Sequence, residues 1–405
     1  MGDHYDAIVI GTGFGGAVTA CRLAQAGIHT LVLERGRRYD LASLPDLPKP
    51  GQIFPDPRRW TWSGSHGLWD VRDLDGVAVA QSAAYGGGSL VYANVHLRPP
   101  REVFDEEWPH DCRSRKAIDK YYDLVGYMLD ITPVPEAWRK VGKVKVMADA
   151  FRDTAGGVGD GNVFFPPLAI TFPKETPVED QSNPPIPPPE RNLPLNRYRR
   201  HHGECQRCGA CDTGCRYGAK NTLDRNYLAV AEDCEANNGD KVATIRTLCE
   251  ALIVSSCGEG GYEVVYHDHL LGTRKTVAAR HVFLCGGSVN TTELLLRSFH
   301  QNKQRAAGCG DSTPCNGLTP VQHVGEHYFI NSDSLALVAN AKRETFPSAG
   351  PVITTALVYD GEPVNDEAGQ LRFIQKAPRP RRAVPGGGRS WFLIEDGGYP
   401  VRSTR

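Results

Sequence analysis

The N-terminal segment alternates apolar runs with small and polar positions in a pattern that predicts a strand, a helix and a second strand. Residues 7–10 (AIVI) are apolar and β-favouring, which is typical of a buried parallel strand. Ala20 and Ala24 then share one face at helical spacing, and Gly27 stands where a helix commonly ends. Residues 30–33 (TLVL) form the next apolar run. The pattern therefore predicts a β–α–β unit at the start of the chain.

The later pattern predicts further elements, the last of them in the same strand–glycine–helix arrangement. They are a helix over 116–129 with an apolar face of Ile118, Tyr121, Leu124, Val125 and Met128, a helix over 223–237, strands over 242–247, 251–255 and 262–267, and a strand over 281–285 followed by Gly286-Gly287-Ser288 and a helix over 290–297. Residues 41–67 and the proline-dense residues 150–200 read as irregular segments, the first a cover near a ligand and the second a linker or lid.

Three glycines stand where the first strand turns into the helix. Gly11, Gly13 and Gly16 have the spacing G-x-G-x-x-G, in which the glycines allow a tight turn, close approach of a pyrophosphate and close helix–strand packing. The helix N-terminus then points its N–H groups at the phosphates. Glu34 follows the second strand, where a carboxylate can accept hydrogen bonds from ribose hydroxyls. These residues predict a dinucleotide site, and they leave FAD and NAD both open.

A second glycine run indicates another close approach to a ligand. Gly86, Gly87 and Gly88 precede Ser89, and a backbone without side chains can press against a flat or charged group. The alternative is a flexible glycine turn.

Composition narrows the class of protein. The chain has 405 residues, 40% of them hydrophobic, which is enough for a large core and about two domains. A net charge of −1 gives no electrostatic case for a nucleic acid or an anionic membrane as partner. The sequence contains no apolar run of about 18 residues, so it predicts no membrane span. Because the first strand starts near Met1, we expect no signal peptide and a cytoplasmic location, where the twelve cysteines would be free, metal-bound or redox-active.

Four cysteines form the densest cluster of reactive side chains. Cys205, Cys208, Cys211 and Cys215 have the spacing C-x2-C-x2-C-x3-C of a bacterial ferredoxin run, which predicts one iron–sulfur cluster. Arg216 stands where such runs have proline, and no second run exists. Structural zinc and unligated thiols are the alternatives. The other eight cysteines are interpreted as small buried hydrophobes.

The chain resembles the glucose–methanol–choline (GMC) family of FAD oxidoreductases, in particular its sterol oxidase-like branch. The resemblance rests on four blocks in the family's order, which are GTGFGG with LERG, GGGSLVYANVHLRPP, CRYGAKNTLDRNYL and VFLCGGSVNTTELLLRS. Sterol oxidases have Asn directly after Ser-Leu-Val, whereas here Tyr92 stands there and Asn94 comes two residues later. The residues that the resemblance assigns to FAD are Gly11, Gly13, Gly16, Glu34, Gly87, Gly88, Ser89, Asn94, Ala251 and Gly287.

The resemblance also implies a fold and a domain organisation. The implied fold is α/β, with a discontinuous Rossmann-type FAD-binding domain and a mixed-β substrate-binding domain. The chain looks C-terminally truncated, since the family continues past Arg405 with a histidine near the flavin that would act as base; His323 and His327 are interpreted as ordinary loop histidines. The expected division is 1–45 and 204–318 for the FAD domain, and 46–203 (with the flavin-contacting 83–100) and 319–405 for the cover and substrate domain.

The function that the resemblance implies is FAD-dependent oxidation of a secondary alcohol on a bulky apolar substrate, a sterol or related lipid, with O₂ or another acceptor taking the electrons. Glu395, in FLIEDGGYP, has a position similar to that of the sterol oxidase glutamate that moves a proton during isomerisation. Its alternative is a solvated acidic turn. Two further hypotheses are a dehydrogenase that passes electrons through an iron–sulfur cluster, and a non-catalytic FAD-binding fragment.

Overall fold

The computed structural model describes residues 4–44, 60–99, 104, 108–140, 142–154, 163–174, 186–257, 260–308, 318, 322–328, 342, 348–359, 361–365, 371–375 and 392–398. The strands, in chain order, are β1 (His4–Ile10), β2 (Thr30–Leu33), β3 (Trp69–Leu74), β4 (Val77–Ser82), β5 (Val163–Phe164), β6 (Ala243–Arg246), β7 (Cys249–Ser256), β8 (Tyr262–Asp268), β9 (Thr273–Leu284), β10 (Ala356–Tyr359), β11 (Gly361–Asn365), β12 (Leu371–Gln375) and β13 (Phe392–Glu395). The α-helices are α1 (Phe14–Gln25), α2 (Trp62–Ser65), α3 (Arg115–Met128), α4 (Gly142–Thr154), α5 (Tyr227–Asp233) and α6 (Ser288–Gly308).

The largest sheet has six strands in the order β6-β2-β1-β9-β8-β7. Strands β6, β2, β1 and β9 are parallel, and β8 and β7 continue the sheet as an antiparallel meander. Strand β1 therefore lies between β2, which follows it through α1, and β9, which comes from far along the chain. Doubly wound α/β folds bind ligands at such a point, at the carboxyl ends of the strands.

The two faces of this sheet bury different sets of side chains, because successive residues of a strand point in opposite directions. Ile8 and Ile10 pack on one face with Leu294 of α6. Val9 packs on the other face with Ala20 of α1. The continuous apolar run of residues 7–10 is explained by this two-sided burial.

Three smaller sheets accompany the main one. Strands β13, β10 and β5 form an antiparallel sheet, β3 pairs with β4 in a hairpin, and β11 pairs with β12. A buried ion pair ties the three-stranded sheet to α4: Lys143 bonds Asp396, whose carboxylate also accepts hydrogen bonds from the backbone N–H groups of Thr354 and Thr355, each over 2.7 Å. Asp396 is 1% exposed, so this network is isolated from solvent.

The structure corrects several element boundaries. The helix predicted over 223–237 is a 3₁₀ turn at Leu223–Arg225 followed by the shorter α5, because Asn226 has a non-helical backbone and its side chain accepts a hydrogen bond from Tyr227 N–H. The predicted apolar face of α3 is only partly buried, since Tyr121 is 58% exposed. Helix α6 is longer than the predicted 290–297. No helix within the described residues is long and apolar enough to cross a membrane.

Candidate dinucleotide-binding site

A cavity of about 430 Å³ lies at the carboxyl ends of β1, β2 and β9. Seven of the ten predicted cofactor residues line it, namely Gly11, Gly13, Glu34, Gly87, Gly88, Ala251 and Gly287. They come from five separate stretches of the chain, which the sheet brings to one edge. The three others, Gly16, Ser89 and Asn94, are not among the residues that line it.

The fingerprint glycines differ in what surrounds them. Gly11 has φ +99°, and a Cβ there would lie 2.3 Å from the carbonyl oxygen of Cys285. A Cβ on Gly16 would lie 1.9 Å from the carbonyl oxygen of Gly11, so this glycine lets α1 pack directly on the end of β1. A Cβ on Gly13 would meet no protein atom within 4 Å. The side-chain position of Gly13 is therefore empty and faces the cavity, as a pyrophosphate-binding position requires.

The two glycine loops meet backbone to backbone. A Cβ on Gly87 would lie 2.5 Å from the Cα of Gly13, and Gly87 itself has φ +54°. A Cβ on Gly88 or on Gly287 would meet nothing within 4 Å. The cavity is thus bordered by bare backbone, and these residues fit the close approach of a dinucleotide phosphate group.

Glu34 is buried at the end of β2 and is held by hydrogen bonds from the first glycine loop. Its Oε2 accepts from the N–H of Thr12 over 2.9 Å and from the Thr12 hydroxyl over 2.5 Å, and its Oε1 accepts from Gly36 N–H over 2.7 Å. Burial raises the pKa of the Glu34 carboxyl, and these hydrogen bonds oppose the rise. The Thr12 hydroxyl also accepts a hydrogen bond from Gly86 N–H over 3.0 Å, so Thr12 links Glu34 to the second glycine loop. The spacing of the glycine motif did not predict this role of Thr12.

Ser89 and Asn94 occupy structural positions behind the cavity. The Ser89 hydroxyl donates to the Gly86 carbonyl over 2.7 Å and accepts from Leu223 N–H over 3.0 Å. Ser89 therefore fixes the second glycine loop. Asn94 is fully buried with φ +58°, and its side-chain amide has no hydrogen-bond partner in the protein. Neither residue is among those that line the cavity, and their direct contact with the cofactor stays a prediction.

Hairpin β3–β4 forms one wall of the cavity, and no motif in the sequence predicted it. Asp70 accepts hydrogen bonds from Arg35 over 2.7 Å and from Gln81 over 2.9 Å, and it also pairs with Arg72. Arg72 in turn donates to Glu293 of α6 over 2.6 Å. Burial alone would raise the pKa of Asp70, but hydrogen bonds from Arg72 and Arg35 outweigh it and lower the pKa.

A buried lysine lies behind the second glycine loop. The Lys220 ammonium donates to the Leu90 carbonyl over 2.8 Å, to the Tyr92 carbonyl over 3.2 Å and to the Cys211 carbonyl. It lies 5.1 Å from the centre of the Tyr92 ring, and Tyr92 lines the cavity. Lys220 therefore joins the glycine loop to the cysteine segment through backbone contacts.

The four predicted metal ligands lie in one region, with Cys205 and Cys211 buried and Cys208 and Cys215 half-buried. Burial raises the pKa of the Cys205, Cys208 and Cys211 thiols, and the nearby thiols of the same cluster add to the rise. Within the described residues, these sulfur atoms do not form a group of three within 4.8 Å of one another. The iron–sulfur cluster therefore stays a prediction.

Glu395 lies at the end of β13, outside the residues that line the cavity. It is half-buried and pairs with Ala356 of β10. The next residue, Asp396, is held by the buried network with Lys143 and Thr354. The backbone at Glu395 is thereby fixed, while its catalytic role stays a prediction.

Two family profiles match the chain. The profile described as GMC oxidoreductase matches residues 188–329, and that of an NAD(P)-binding Rossmann-like domain matches residues 9–70. The second match begins at Val9 near the end of β1 and covers α1, β2 and the hairpin residue Asp70. The first covers the cysteine segment and the strand–glycine–helix unit of β9 and α6.

Similar proteins include alcohol oxidases. A cholesterol oxidase from Acinetobacter baumannii is 32% identical over 72% of this chain and 50% of its own length. A cholesterol oxidase from Mycobacterium tuberculosis is 36% identical over 58% of this chain and 38% of its own length. A long-chain-alcohol oxidase from Arabidopsis thaliana is 27% identical over 74% of this chain and 35% of its own length.

This chain spans about half the length of the first of these relatives and a smaller share of the other two. The GMC oxidoreductase profile and the alcohol oxidase relatives are compatible with the dinucleotide cavity lined by glycine backbone. Residues 188–329 thus match the GMC oxidoreductase family, and the chain is similar to the cholesterol oxidases.

Proposed function

We propose that this chain binds FAD and takes part in the oxidation of a secondary alcohol on a bulky apolar substrate, a sterol or related lipid. The observation that carries the proposal is the meeting of two bare glycine loops, at Gly13 and Gly87, beside the buried carboxylate of Glu34. When bound, FAD supplies an isoalloxazine ring that accepts a hydride.

The residues of the cavity have separate tasks in this proposal. Gly13, Gly88 and Gly287 leave room for the phosphates, and Glu34 accepts a hydrogen bond from a ribose hydroxyl of the adenosine. Ala251, near the start of β7, lines the cavity and would hold the adenine edge through its backbone. The aromatic ring of Tyr92 forms an apolar wall, because its hydroxyl is turned away to donate to the Asn221 carbonyl over 2.9 Å.

The substrate class is proposed from the relatives, two of which are named for cholesterol and one for long-chain alcohols. These alcohols share a large apolar body and a single polar hydroxyl. Because burying apolar surface is favourable by about 25 cal/mol per Å², a long apolar substrate can be selected over a short one by its body alone.

Glu395 is proposed as the group that moves a proton in double-bond isomerisation. It follows three apolar residues of β13, and its backbone is held by the network around Asp396. With Glu395→Gln, alcohol oxidation should continue while the unconjugated ketone accumulates. The absorbance of the conjugated enone, followed against total ketone, separates the two steps.

The identity of the electron acceptor distinguishes two versions of this function. An oxidase passes electrons to O₂ and releases peroxide, whereas a dehydrogenase passes them to an external acceptor through the proposed cluster at Cys205–Cys215. Equal molar yields of peroxide and ketone under air would support the oxidase. Turnover that needs an added one-electron acceptor and is lost with Cys211→Ser would support the dehydrogenase.

The central experiment is to purify the chain and identify its cofactor. We expect the absorbance of bound FAD, and any alcohol oxidation by the chain should favour cholesterol and a long-chain alcohol over a short polar alcohol. A protein with bound FAD and no turnover would favour the non-catalytic FAD-binding fragment. A protein that takes up NADH and no flavin would contradict the proposal.

A further inference from the structure

We propose that His323, Glu326 and His327 form a binding site for one divalent transition-metal ion, with Zn²⁺ as the natural occupant. The three residues lie on one turn, in the sequence H-x-x-E-H. Their ligand atoms all lie within 4.8 Å of one another, and no other set of three potential metal ligands in the described part of the chain does so. The site is independent of the dinucleotide cavity, whose lining contains none of the three residues.

The potential ligand atoms of these three residues are spaced nearly as they would be around a bound metal ion. The Nδ1 atom of His323 lies 2.7 Å from Oε2 of Glu326, and the two imidazole rings have centroids 6.1 Å apart with an angle of 34° between their planes. Ligand atoms of a tetrahedral zinc site are about 3.4 Å apart. The widest pair therefore has to close by no more than about 1.4 Å, which rotation of exposed side chains can supply.

The donor set selects the kind of metal. Two imidazole nitrogens and one carboxylate oxygen are the protein ligands of many zinc sites, whereas Mg²⁺ and Ca²⁺ prefer oxygen ligands alone. The side chains of His323 and Glu326 are 65% and 52% exposed, so water has access to the remaining coordination positions. Three protein ligands and an open position describe a solvent-accessible zinc site.

The turn is supported by α6. Gly325 has φ +84°, and a Cβ there would lie 3.2 Å from Leu296 Cδ1 and 3.5 Å from Thr292 Cγ2. The close packing of this glycine places the turn directly against the helix. A bound ion would join the two histidines and stabilise this contact.

The test is zinc binding by the full chain, measured by equilibrium dialysis with metal analysis. Relative to the parent, the double variant His323→Ala/His327→Ala should lose one equivalent of bound zinc. Glu326→Gln should weaken that equivalent by about tenfold or more. His110→Ala is the matched control, because its side chain is 91% exposed and belongs to no such group, and it should bind zinc as the parent does.

Because the four clustered cysteines can also bind zinc, cobalt serves as a second probe. Cobalt bound by thiolates has intense sulfur-to-metal charge-transfer absorption, which a nitrogen and oxygen site lacks. The equivalent that the double variant loses should show only weak visible d–d bands. The circular dichroism and metal-free melting temperature of the double variant should match those of the parent, since the replaced side chains are exposed.

Two results would overturn the proposal. One is an unchanged zinc stoichiometry and affinity in the double variant. The other is a cobalt spectrum in which every bound equivalent carries the thiolate charge-transfer band, in the parent and the double variant alike.

Discussion

Arg72 of β3 donates a hydrogen bond to Glu293 of α6 over 2.6 Å, and both side chains line the dinucleotide cavity. The pair joins hairpin β3–β4 to the helix that follows the late glycine turn. It is partly exposed, with side chains 24% and 47% accessible, so its contribution to folding stability should be below about 1 kcal/mol. Its effect should instead appear in the retention of the cofactor.

We predict that Glu293→Gln accelerates FAD dissociation severalfold and leaves the melting temperature of the cofactor-free protein nearly unchanged. The buried carboxylate of Asp70 keeps its three donors in this variant. Flavin fluorescence after dilution measures the dissociation rate. Glu263→Gln, at an exposed position of β8, is the control, and equal rates for the two variants would contradict the prediction.

Substitution by alanine should impair cofactor binding at Gly13 and folding stability at Gly16. Gly13→Ala should fold normally and bind FAD far more weakly, because the new methyl group meets no protein atom within 4 Å and enters the space of the pyrophosphate. Gly16→Ala should destabilise the fold itself, because its methyl group would lie 1.9 Å from the Gly11 carbonyl oxygen. Thermal melting and flavin titration of both variants check this. A Gly13→Ala protein with parental FAD affinity would show that the phosphates lie elsewhere.

The affinity for FAD should increase as pH rises above 4.5, the ordinary pKa of a glutamate, because burial raises the pKa of Glu34. A ribose hydroxyl donates to the ionised carboxylate, so binding favours loss of the proton and lowers this pKa. The dissociation constant should therefore fall with rising pH until Glu34 is ionised in the free protein. Flavin titrations across this range test the sign. The dependence should vanish in Glu34→Gln, and a dissociation constant that rises with pH would be inconsistent with the role of Glu34.

Lys220 should be among the most sensitive positions in the chain. It is 1% exposed, and Lys220→Met would leave three backbone carbonyls without this donor. We expect the free energy of unfolding to fall by about 1–3 kcal/mol for each carbonyl left unsatisfied. Denaturant unfolding measures the loss, with Lys116→Met, at an exposed position, as the control. Equal stabilities for the two variants would mean that the buried ammonium contributes no net stability.

The iron–sulfur prediction has a direct chemical test. Anaerobically purified protein should contain iron and sulfide, with broad visible absorbance that Cys208→Ser removes. Cys234→Ser, outside the C-x2-C-x2-C-x3-C run, should keep it. Zinc in place of iron, lost with Cys208→Ser, would assign the cluster to the structural alternative, and the absence of both metals would leave free thiols.

Local sequence determined the dinucleotide unit. The continuous apolar run of residues 7–10 and the three glycines after it specify a buried strand, a tight turn and a helix within a few residues, so no distant contact is needed to recognise them. The strand at Thr30–Leu33 and the left-handed Gly27 (φ +73°) agree with the prediction for the same reason. The pattern also located the second glycine run and the late glycine turn at Gly287, and the family resemblance added their assignment to FAD.

Tertiary structure decided which of those residues reach the cavity and which support it. Ser89 and Asn94 belong to the same sequence block as Gly87, yet the 3₁₀ turn at Gly87–Leu90 directs the Ser89 hydroxyl to Gly86 and Leu223, and Asn94 is buried. Thr12, Asp70, Arg72 and Glu293 have no spacing signal, because each acts through a partner distant in sequence. Burial raises the pKa of Glu34 and lowers the pKa of Lys220 for the same reason, since desolvation depends on what the whole fold places around a group.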